Sequence, residues 1–376
     1  MFGLRRALSS GTLSFMSRSP SFIVVAGPFP PPVTGFAYVT LQMAERIARK
    51  YEVIRLDLSV DKPCGGIGYH VQRIGCVLRA CRALVRLPRS PMRVLYLACD
   101  GGLGIIYTLG LSFVGRVLGF RLFIHHHSYA YIDRKKPLMA SLVHITGAAA
   151  THIFLASFMR DAFAAQYGSP MKTTVIANSA FVPLAPDRHT ESDEGWITLG
   201  LLSNLNASKG LYVFLDLLNE AKAQNLKIRG ILAGPVADPQ DTENLSRAQA
   251  ALGDRLIYKG AVYGEAKEAF FDSLDVFVFP TRYANEAQPT VLFEAMAHGL
   301  PVLSFARGCI REQVGLSGAV LEQGEDFTRF ALDFLKDWPK RENAYHAATI
   351  KAAFAARRAE AQKAVDSLFH EVSNCS

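Results

Sequence analysis

The segment DVFVFPTRYANEAQPTVLFEAMAHGLPVLS, residues 275–304, contains one complete unit of a parallel α/β fold. An apolar strand at 276–279 precedes a polar loop, a helical pattern over 290–298 and a second apolar strand at 302–304. Short β-branched and aromatic runs of this kind are typical of strands that are buried on both faces. The segment therefore predicts two parallel strands joined by a helical crossover.

The same alternation of short apolar strands and helices extends over most of the chain. In the first half, strands are predicted at 22–26 (FIVVA), 51–58, 94–97, 122–126, 153–156 and 174–176, with helices over 39–47, 103–118, 136–147 and 157–167. In the second half, the further strands are predicted at 197–202, 228–233, 256–258 and 319–321, with helices over 209–224, 240–252, 265–273 and 326–337.

These two sets of elements predict an α/β protein of two Rossmann-like domains with parallel sheets. Open α/β sheets bind their ligands beyond the carboxyl ends of the strands, which here means the cleft between the domains. We expect a basic leader at 1–20, a first domain at 21–185, a linker at 186–195, a second domain at 196–340 and, over 341–376, a helix that packs back on the first domain.

The charge of the 376-residue chain is distributed unevenly. Its net charge is +8, but residues 1–190 carry 22 Lys and Arg against 8 Asp and Glu, whereas the remainder has an acidic excess of 6. Such asymmetry indicates two units with different partners. The sequence shows no zinc finger, basic zipper or RNP pattern, so we expect no nucleic-acid partner and favour an anionic lipid surface.

Arginines recur at helical spacing in the first half. No acidic residue lies between Lys62 and Cys99, and Arg79, Arg82 and Arg86 fall on one helix face before Pro88 ends the helix. A basic amphipathic helix can lie on an anionic bilayer, so these three arginines are our candidates for a membrane surface. The alternative interpretation is a solvated face on a helix that packs on the core.

Two segments resemble targeting or spanning signals, but neither has a sufficient apolar length. Residues 1–20 are basic, yet residues 9–12 interrupt the apolar core of roughly 7–15 residues that a signal peptide needs. Residues 101–115 are uncharged but fall short of the about 20 apolar residues of a spanning helix. We expect an extended leader and a buried helix, respectively.

The six cysteines show no metal-ligand spacing. They lie at positions 64, 76, 81, 99, 309 and 375. We interpret them as reduced thiols of a cytosolic protein and expect neither zinc nor an iron–sulfur cluster as a cofactor.

Two carboxylates in the opening segment are separated by seven residues. Glu286 lies in the loop and Glu294 in the following helix, and ionised carboxylates accept hydrogen bonds from the vicinal hydroxyls of a sugar or a ribose. Pro289 is suited to a first helical turn, whose free N–H groups suit a pyrophosphate. The pattern describes a nucleotide-sugar, although spacing alone is equally compatible with a surface acid and a paired helix acid.

The segment resembles the E-x7-E region of retaining glycosyltransferases with the GT-B fold, especially glycosyltransferase family 4. SNLNASKG at 203–210 resembles the strand–loop–Lys-Gly element of this family, Gly234 and Gly260 follow strands as they do there, and EAMAHGLPVLS at 294–304 matches closely. The resemblance implies two Rossmann-like domains that face a cleft, a nucleotide-sugar donor and no metal cofactor.

The resemblance also implies roles for residues of the second half. Lys209 would contact the donor diphosphate, Glu286 would hold the transferred sugar and Glu294 the ribose. The family carries an arginine five positions before the lysine, where this chain has Asn204; Arg282 and Arg307 are candidates to replace that charge. The remaining donor contacts implied are Ala287, Gln288, Pro289 and Thr290.

In the first half, the resemblance points to Gly35 in a loop after the first strand and to a histidine at the end of a later strand. His125, His126 and His127 end the strand at 122–126; His127 is our first candidate beside the reacting carbon and His126 the second, with Ser128 next to them. Alternating side chains make three consecutive histidines a poor metal cage. The basic residues at 134–136 either attract an anionic acceptor or form a solvated loop.

The resemblance implies a hexosyl-type glycosyltransferase that retains the anomeric configuration. We expect a peripheral enzyme on the cytoplasmic face of the membrane, with a lipid-linked or polysaccharide acceptor. Alternatives are a nucleotide-sugar epimerase or phosphorylase-like enzyme, and a non-catalytic sugar-binding protein, for which Asn204 is the hint. A dehydrogenase would carry G-x-G-x-x-G after its first strand, and GPFPPPVTG at 27–35 does not supply it.

Overall fold

The computed structural model describes residues 22–60, 67–88, 92–168, 172–186, 195–336, 338 and 345–373. It contains two six-stranded, entirely parallel sheets, which confirms the predicted fold class. The predicted leader, the body of the linker (187–194), and Cys64 and Cys375 lie outside the described residues.

The N-terminal sheet has the strand order β2-β1-β3-β4-β5-β6. Its strands are β1 (Phe22–Gly27), β2 (Glu52–Asp57), β3 (Arg93–Cys99), β4 (Arg121–His126), β5 (Ala150–Phe154) and β6 (Lys172–Val175). The helices that connect them are α1 (Gly35–Ala48), α2 (Ile67–Arg86), α3 (Ile105–Val117), α4 (Ala130–Asp133), α5 (Pro137–Thr146) and α6 (Ser157–Tyr167).

The C-terminal sheet has the order β12-β11-β10-β7-β8-β9. Its strands are β7 (Ile197–Leu202), β8 (Ile228–Ala233), β9 (Leu256–Tyr258), β10 (Val276–Phe279), β11 (Val302–Phe305) and β12 (Gly318–Leu321). The helices are α7 (Leu211–Ala223), α8 (Pro239–Leu252), α9 (Glu265–Asp272), α10 (Thr290–Ala297), α11 (Ile310–Val314), α12 (Phe327–Lys336) and α13 (Ala347–Ser373).

Helix α13 contributes to the cores of both halves. Its buried residues Ile350 and Phe354 join the core around the C-terminal sheet, whereas Ala361, Val365 and Leu368 pack with residues of the N-terminal sheet. A single long helix therefore spans the two halves on the side opposite to α2 and α3.

Helix α3 corrects one expectation. The uncharged segment predicted to be a buried helix does form a helix, but only its inner face packs on the sheet, and Ile106, Phe113 and Val117 are exposed. An apolar helix packs one face on the sheet, and its other face stays exposed to solvent when no further layer covers it. Among the described residues, no helix is both long and apolar enough to cross a bilayer.

Candidate active site

A cavity of about 720 Å³ opens between the carboxyl edges of the two sheets. The first half contributes Gly35, His127 and Ser128 from the predicted set, with Gly35 as the first residue of α1 rather than a loop residue. The second half contributes Asn204 and Lys209 after β7, and Glu286, Ala287, Gln288, Pro289, Thr290 and Glu294 around the start of α10. The structure thus brings these residues to one cavity.

The two carboxylates of the E-x7-E segment each contact a lysine. Glu286 Oε2 lies 2.6 Å from Lys209 Nζ, and Glu294 Oε1 lies 2.7 Å from Lys267 Nζ. The Lys209 and Glu286 side chains are only 18% and 11% exposed, so solvent screens this pair less than a surface pair. The acids and the lysines together form a charged wall on the C-terminal side of the cavity.

Local backbone structure places Lys209. It ends a 3₁₀ turn that Asn206 caps, since Asn206 Oδ1 accepts a hydrogen bond from the Lys209 N–H at 3.0 Å. Gly210 follows with a φ of +90°, and a Cβ atom there would lie 2.5 Å from the carbonyl oxygen of Pro280. Only glycine fits this position, and it lets the turn after Lys209 approach the backbone of Pro280, which follows β10.

Helix α10 begins at Thr290, beside Glu286. Its N-terminal position, Pro289, supplies no side-chain cap, and no acidic residue lies in the first turn. The first N–H groups of a helix lack intrahelical partners and carry a partial positive charge. This end of the cavity is therefore suited to an anionic group.

The loop that carries Glu286 is fixed against the N-terminal half. The Asn178 N–H and side-chain amide donate to Gln288 Oε1 and to the Gln288 carbonyl oxygen, both at 2.6 Å, and Gln288 Nε2 donates to the Leu155 carbonyl oxygen at 3.0 Å. Ser128 Oγ donates to Asn285 Oδ1 at 3.0 Å. These contacts define the position of the Glu286 loop relative to both sheets.

The three consecutive histidines point in alternating directions, as the strand period requires. The His126 ring lies inside the first half, stacked 4.7 Å from Phe154 and hydrogen-bonded to His152 and Tyr131. His126 therefore does not line the cavity, whereas His127 does. Burial lowers the pKa of His127 to about 3, so its imidazole is neutral at physiological pH.

The two candidates to replace the missing arginine, Arg282 and Arg307, make contacts outside the cavity. The Arg282 guanidinium packs 4.7 Å over the Phe305 ring, and Arg307 binds Asp133 at 2.5 Å and the Tyr283 carbonyl oxygen at 3.0 Å. Neither side chain lines the cavity. Lys267 is instead the second lysine that lines it.

Asp100 and Lys267 are among the cavity residues that the sequence analysis did not identify. Asp100 directly follows β3, just as His127 follows β4, so the rule that polar residues at strand ends face the cleft would have found it. Burial raises the pKa of Asp100, and the nearby Arg73 opposes that shift. Lys267 lies on α9 without a motif to mark it. The basic residues at 134–136 are exposed and lie outside the cavity lining.

Comparison with known proteins finds similarity to glycosyltransferases. Residues 197–337 match the family model described as Glycosyl transferases group 1. A curated relative, the phosphatidylinositol N-acetylglucosaminyltransferase gpi3 subunit of Schizosaccharomyces pombe, is 23% identical over 200 residues. That match covers 52% of this chain but only 43% of the relative.

Solved structures of glycosyltransferases share the whole fold. Anabaena HepE in complex with UDP and glucose aligns with a TM-score of 0.67 at 16% identity, covering 93% of this chain and 100% of the other. The sucrose-phosphate synthase of Thermosynechococcus elongatus aligns with a TM-score of 0.68 at 16% identity, covering 95% and 100%. The GT-B fold expected from the resemblance is confirmed.

Proposed function

We propose that this GT-B protein is a retaining, family 4-type glycosyltransferase that moves a hexosyl group from a nucleotide-sugar to a lipid-linked or polysaccharide acceptor. The observation that carries the proposal is the pair of carboxylates on one cavity wall, Glu286 and Glu294, each 2.6–2.7 Å from a lysine ammonium group.

The donor would lie along this wall. Glu286 would accept hydrogen bonds from the hydroxyls of the sugar, and Glu294 from the ribose diol. Between the two acids, the Lys209 ammonium and the first N–H groups of α10 would surround the diphosphate. The proposed order along the wall is therefore sugar, diphosphate and ribose.

The chemical step follows from where charge develops. As the bond between the anomeric carbon and the diphosphate oxygen breaks, the sugar becomes positive and the diphosphate more negative. The acceptor hydroxyl would attack from the same face, its oxygen bonding to the anomeric carbon while its proton passes to the departing diphosphate. Lys209 and the α10 N–H groups would stabilise the negative charge more strongly in the transition state than in the ground state.

His127 would contact the transferred sugar from the opposite wall. Its Nε2 atom is buried without a hydrogen-bond partner among the described residues, and the side chain lines the cavity. A neutral imidazole can form a hydrogen bond with a sugar hydroxyl without adding a positive charge next to the anomeric carbon, which itself becomes positive in the transition state. We assign it a positioning role close to the reacting carbon.

The reaction is proposed to need no metal ion. The positive charge that a metal would bring to a diphosphate is supplied in this arrangement by Lys209 and by the N-terminus of α10. The sequence also lacks the Asp-x-Asp motif. Undiminished turnover in the presence of a chelator is the expected result, and turnover that depends on added Mg²⁺ or Mn²⁺ would contradict it.

The related proteins guide the choice of donor and acceptor. HepE was solved with UDP and glucose, and the name of the gpi3 relative specifies N-acetylglucosamine and a phosphatidylinositol acceptor. UDP-glucose and UDP-N-acetylglucosamine are therefore the first donors to try. We further propose a location on the cytoplasmic membrane face, where Arg79, Arg82 and Arg86 would meet anionic lipid.

A thermal-shift screen of UDP-, GDP- and ADP-sugars tests the proposal. A donor at about 100 times its Kd should raise the free energy of unfolding by about 2.7 kcal/mol. NMR of the transfer product should then show the anomeric configuration of the donor. Donor binding with neither transfer nor hydrolysis would indicate the non-catalytic alternative, conversion of the donor alone to its epimer would indicate an epimerase, and an inverted product would contradict retention.

A further inference from the structure

An exposed apolar stripe runs along the outside of α2. Val71, Ile74, Leu78 and Val85 are spaced by three, four and seven residues, so they share one helix face, and each is 50–64% exposed. The opposite face of α2, which includes Cys76, Ala80 and Leu84, packs into the core of the first half. The outward stripe therefore does not contribute to the core of the fold.

A second stripe lies on the neighbouring helix. Leu103, just before α3, and Ile106, Phe113 and Val117 within it are 47–70% exposed. The two helices pack side by side, and His70 Nδ1 on α2 lies 2.8 Å from the Tyr107 hydroxyl on α3. Eight of the fourteen exposed large apolar side chains among the described residues belong to this surface, which we call the α2–α3 face.

The charge of the α2–α3 face has one sign. Neither helix contains an acidic residue, and the exposed cations beside the stripes are Arg79, Arg82, Arg86 and Arg116. Two nearby acids have cationic partners, since Asp100 lies 3.6 Å from Arg73, a buried arginine of α2, and Asp133 binds Arg307. Scattered exposed apolar residues are normal, but eight of them on or next to two adjacent helices that carry arginines and no acidic residue are not.

The position of this face relates it to the cavity. Crossover helices of a parallel sheet start at the carboxyl edge, so the N-terminal ends of α2 and α3 lie on the cleft side. Leu103 is three residues from Asp100, which lines the cavity. The apolar surface therefore extends to the acceptor side of the cleft, while Arg86 and Arg116 lie toward the far end.

We infer that the α2–α3 face docks on an anionic bilayer, with its apolar side chains below the headgroups and its arginines among them. Apolar side chains favour the acyl boundary, and arginines reach to the anionic headgroups from the same helices. A second copy of the chain fits less well, because symmetric pairing would bring two cationic rims together. The apolar stripes extend the proposed contact of the three arginines with anionic lipid. In this orientation a lipid-borne acceptor would enter the cleft directly, a consequence that rests on the proposed transfer reaction.

Vesicle flotation of the full chain tests the inference. We expect binding to vesicles of phosphatidylcholine with phosphatidylglycerol and little binding to phosphatidylcholine alone. The double variant Leu78→Gln/Phe113→Gln should bind at least tenfold more weakly, since it removes two of the largest exposed apolar side chains. Arg79→Gln/Arg82→Gln/Arg86→Gln should bind more weakly as well, and added salt should weaken the binding of the wild-type protein.

A matched control comes from the other half of the chain. Ile257 and Leu316 are also exposed apolar residues, so Ile257→Gln/Leu316→Gln changes the same chemistry away from the α2–α3 face and should bind as the wild-type protein does. Equal binding of all variants, equal loss in the control, or equal binding to neutral vesicles would overturn the inference. A wild-type dimer that Leu78→Gln/Phe113→Gln converts to monomer, without vesicle binding, would overturn it in favour of self-association.

The donor thermal shift, measured on the same variants, separates this inference from the proposed function. Lost vesicle binding with a retained donor shift supports the docking surface, because the folded cavity is then intact. A wild-type protein that floats with anionic vesicles but binds no nucleotide-sugar would leave the surface standing and contradict the proposed function.

Discussion

The Lys209 ammonium lies 2.6 Å from a Glu286 carboxylate oxygen, although 76 residues separate the two in the sequence. Lys209 comes from the loop after β7 and Glu286 from the loop after β10, two neighbouring strands of the C-terminal sheet. The same ammonium lies 4.2 Å from the centroid of the Tyr283 ring. Adjacent parallel strands thus place the proposed phosphate and sugar contacts side by side.

Replacing Lys209 should affect turnover more than folding. Loss of a group that stabilises developing negative charge lowers kcat by about 10²–10³, so Lys209→Ala is expected to show a loss of that order. Steady-state kinetics with a UDP-sugar provide the measurement. Lys363→Ala, at an exposed lysine of α13, serves as the charge control and should be unchanged. Wild-type turnover in Lys209→Ala would remove this lysine from the mechanism.

A nucleotide that lacks the ribose hydroxyls isolates the proposed contact between Glu294 and the ribose. Hydrogen bonds to a charged group contribute about 1.5–3 kcal/mol, so Glu294→Gln should weaken UDP binding by at least about tenfold. Calorimetry with UDP and with 2′,3′-dideoxy-UDP forms a cycle in which the variant should lose affinity only for UDP. An equal loss for both ligands would mean that Glu294 acts elsewhere.

Gly210→Ala should perturb the site through the backbone. The residue has a φ of +90°, and an added Cβ would clash with the Pro280 carbonyl oxygen at 2.5 Å. We expect a loss of stability of roughly 1–3 kcal/mol together with reduced donor affinity. Gly119→Ala is the matched control, because Gly119 also has a positive φ, +78°, but open space around its Cβ. Equal destabilisation in urea unfolding would show that strain alone, not the clash, matters.

Acid should destabilise the first half through its buried histidines. Burial is the largest cause that lowers the pKa of His125, His126, His127 and His152, to about 3 for His127 and about 4 for His152. Their unfolded pKa is about 6.5, so the unfolded chain binds more protons below that pH. Stability is therefore fully present above pH about 6.5 and falls as the pH drops toward the folded values, by about 1.4 kcal/mol per pH unit for each histidine.

Urea unfolding between about pH 7.5 and pH 5 measures this dependence. His152→Phe should reduce the slope by about one proton. The new side chain has no titratable group and can pack beside Phe154 and Phe163, as the imidazole does. His144→Gln, at an exposed histidine, should leave the slope unchanged. A flat stability profile in the wild-type protein would mean that these imidazoles are accessible to protons in the folded state.

Most of the fold could be predicted from the sequence. The bounds of β7, β8, β9 and β10 agree with those expected, because apolar runs there are interrupted by polar and glycine-rich turns. The helix at 101–115 was predicted but not its exposure, since a uniformly apolar sequence does not reveal which face the rest of the chain covers. The short helices α4 and α11 are too brief for a periodic signal.

The candidate site was partly predictable, for a similar reason. The E-x7-E spacing and the Lys-Gly turn are local patterns, and the structure brings both to one cavity. The choice between His126 and His127 depends on which face of β4 meets the cleft, and the alternating pattern alone does not decide it. Arg307 lies outside the cavity lining and Lys267, which no motif marks, lies in it, because tertiary packing determines where long cationic side chains end. The roles assigned to all these residues stay predictions.

A crystal structure of the protein soaked with UDP-glucose tests the central proposal most directly. The proposal predicts that the diphosphate contacts Lys209 and the start of α10, with the ribose hydroxyls on Glu294 and the glucose hydroxyls on Glu286. A nucleotide bound outside the cavity, or inside it with both carboxylates out of reach of any hydroxyl, would contradict the proposal.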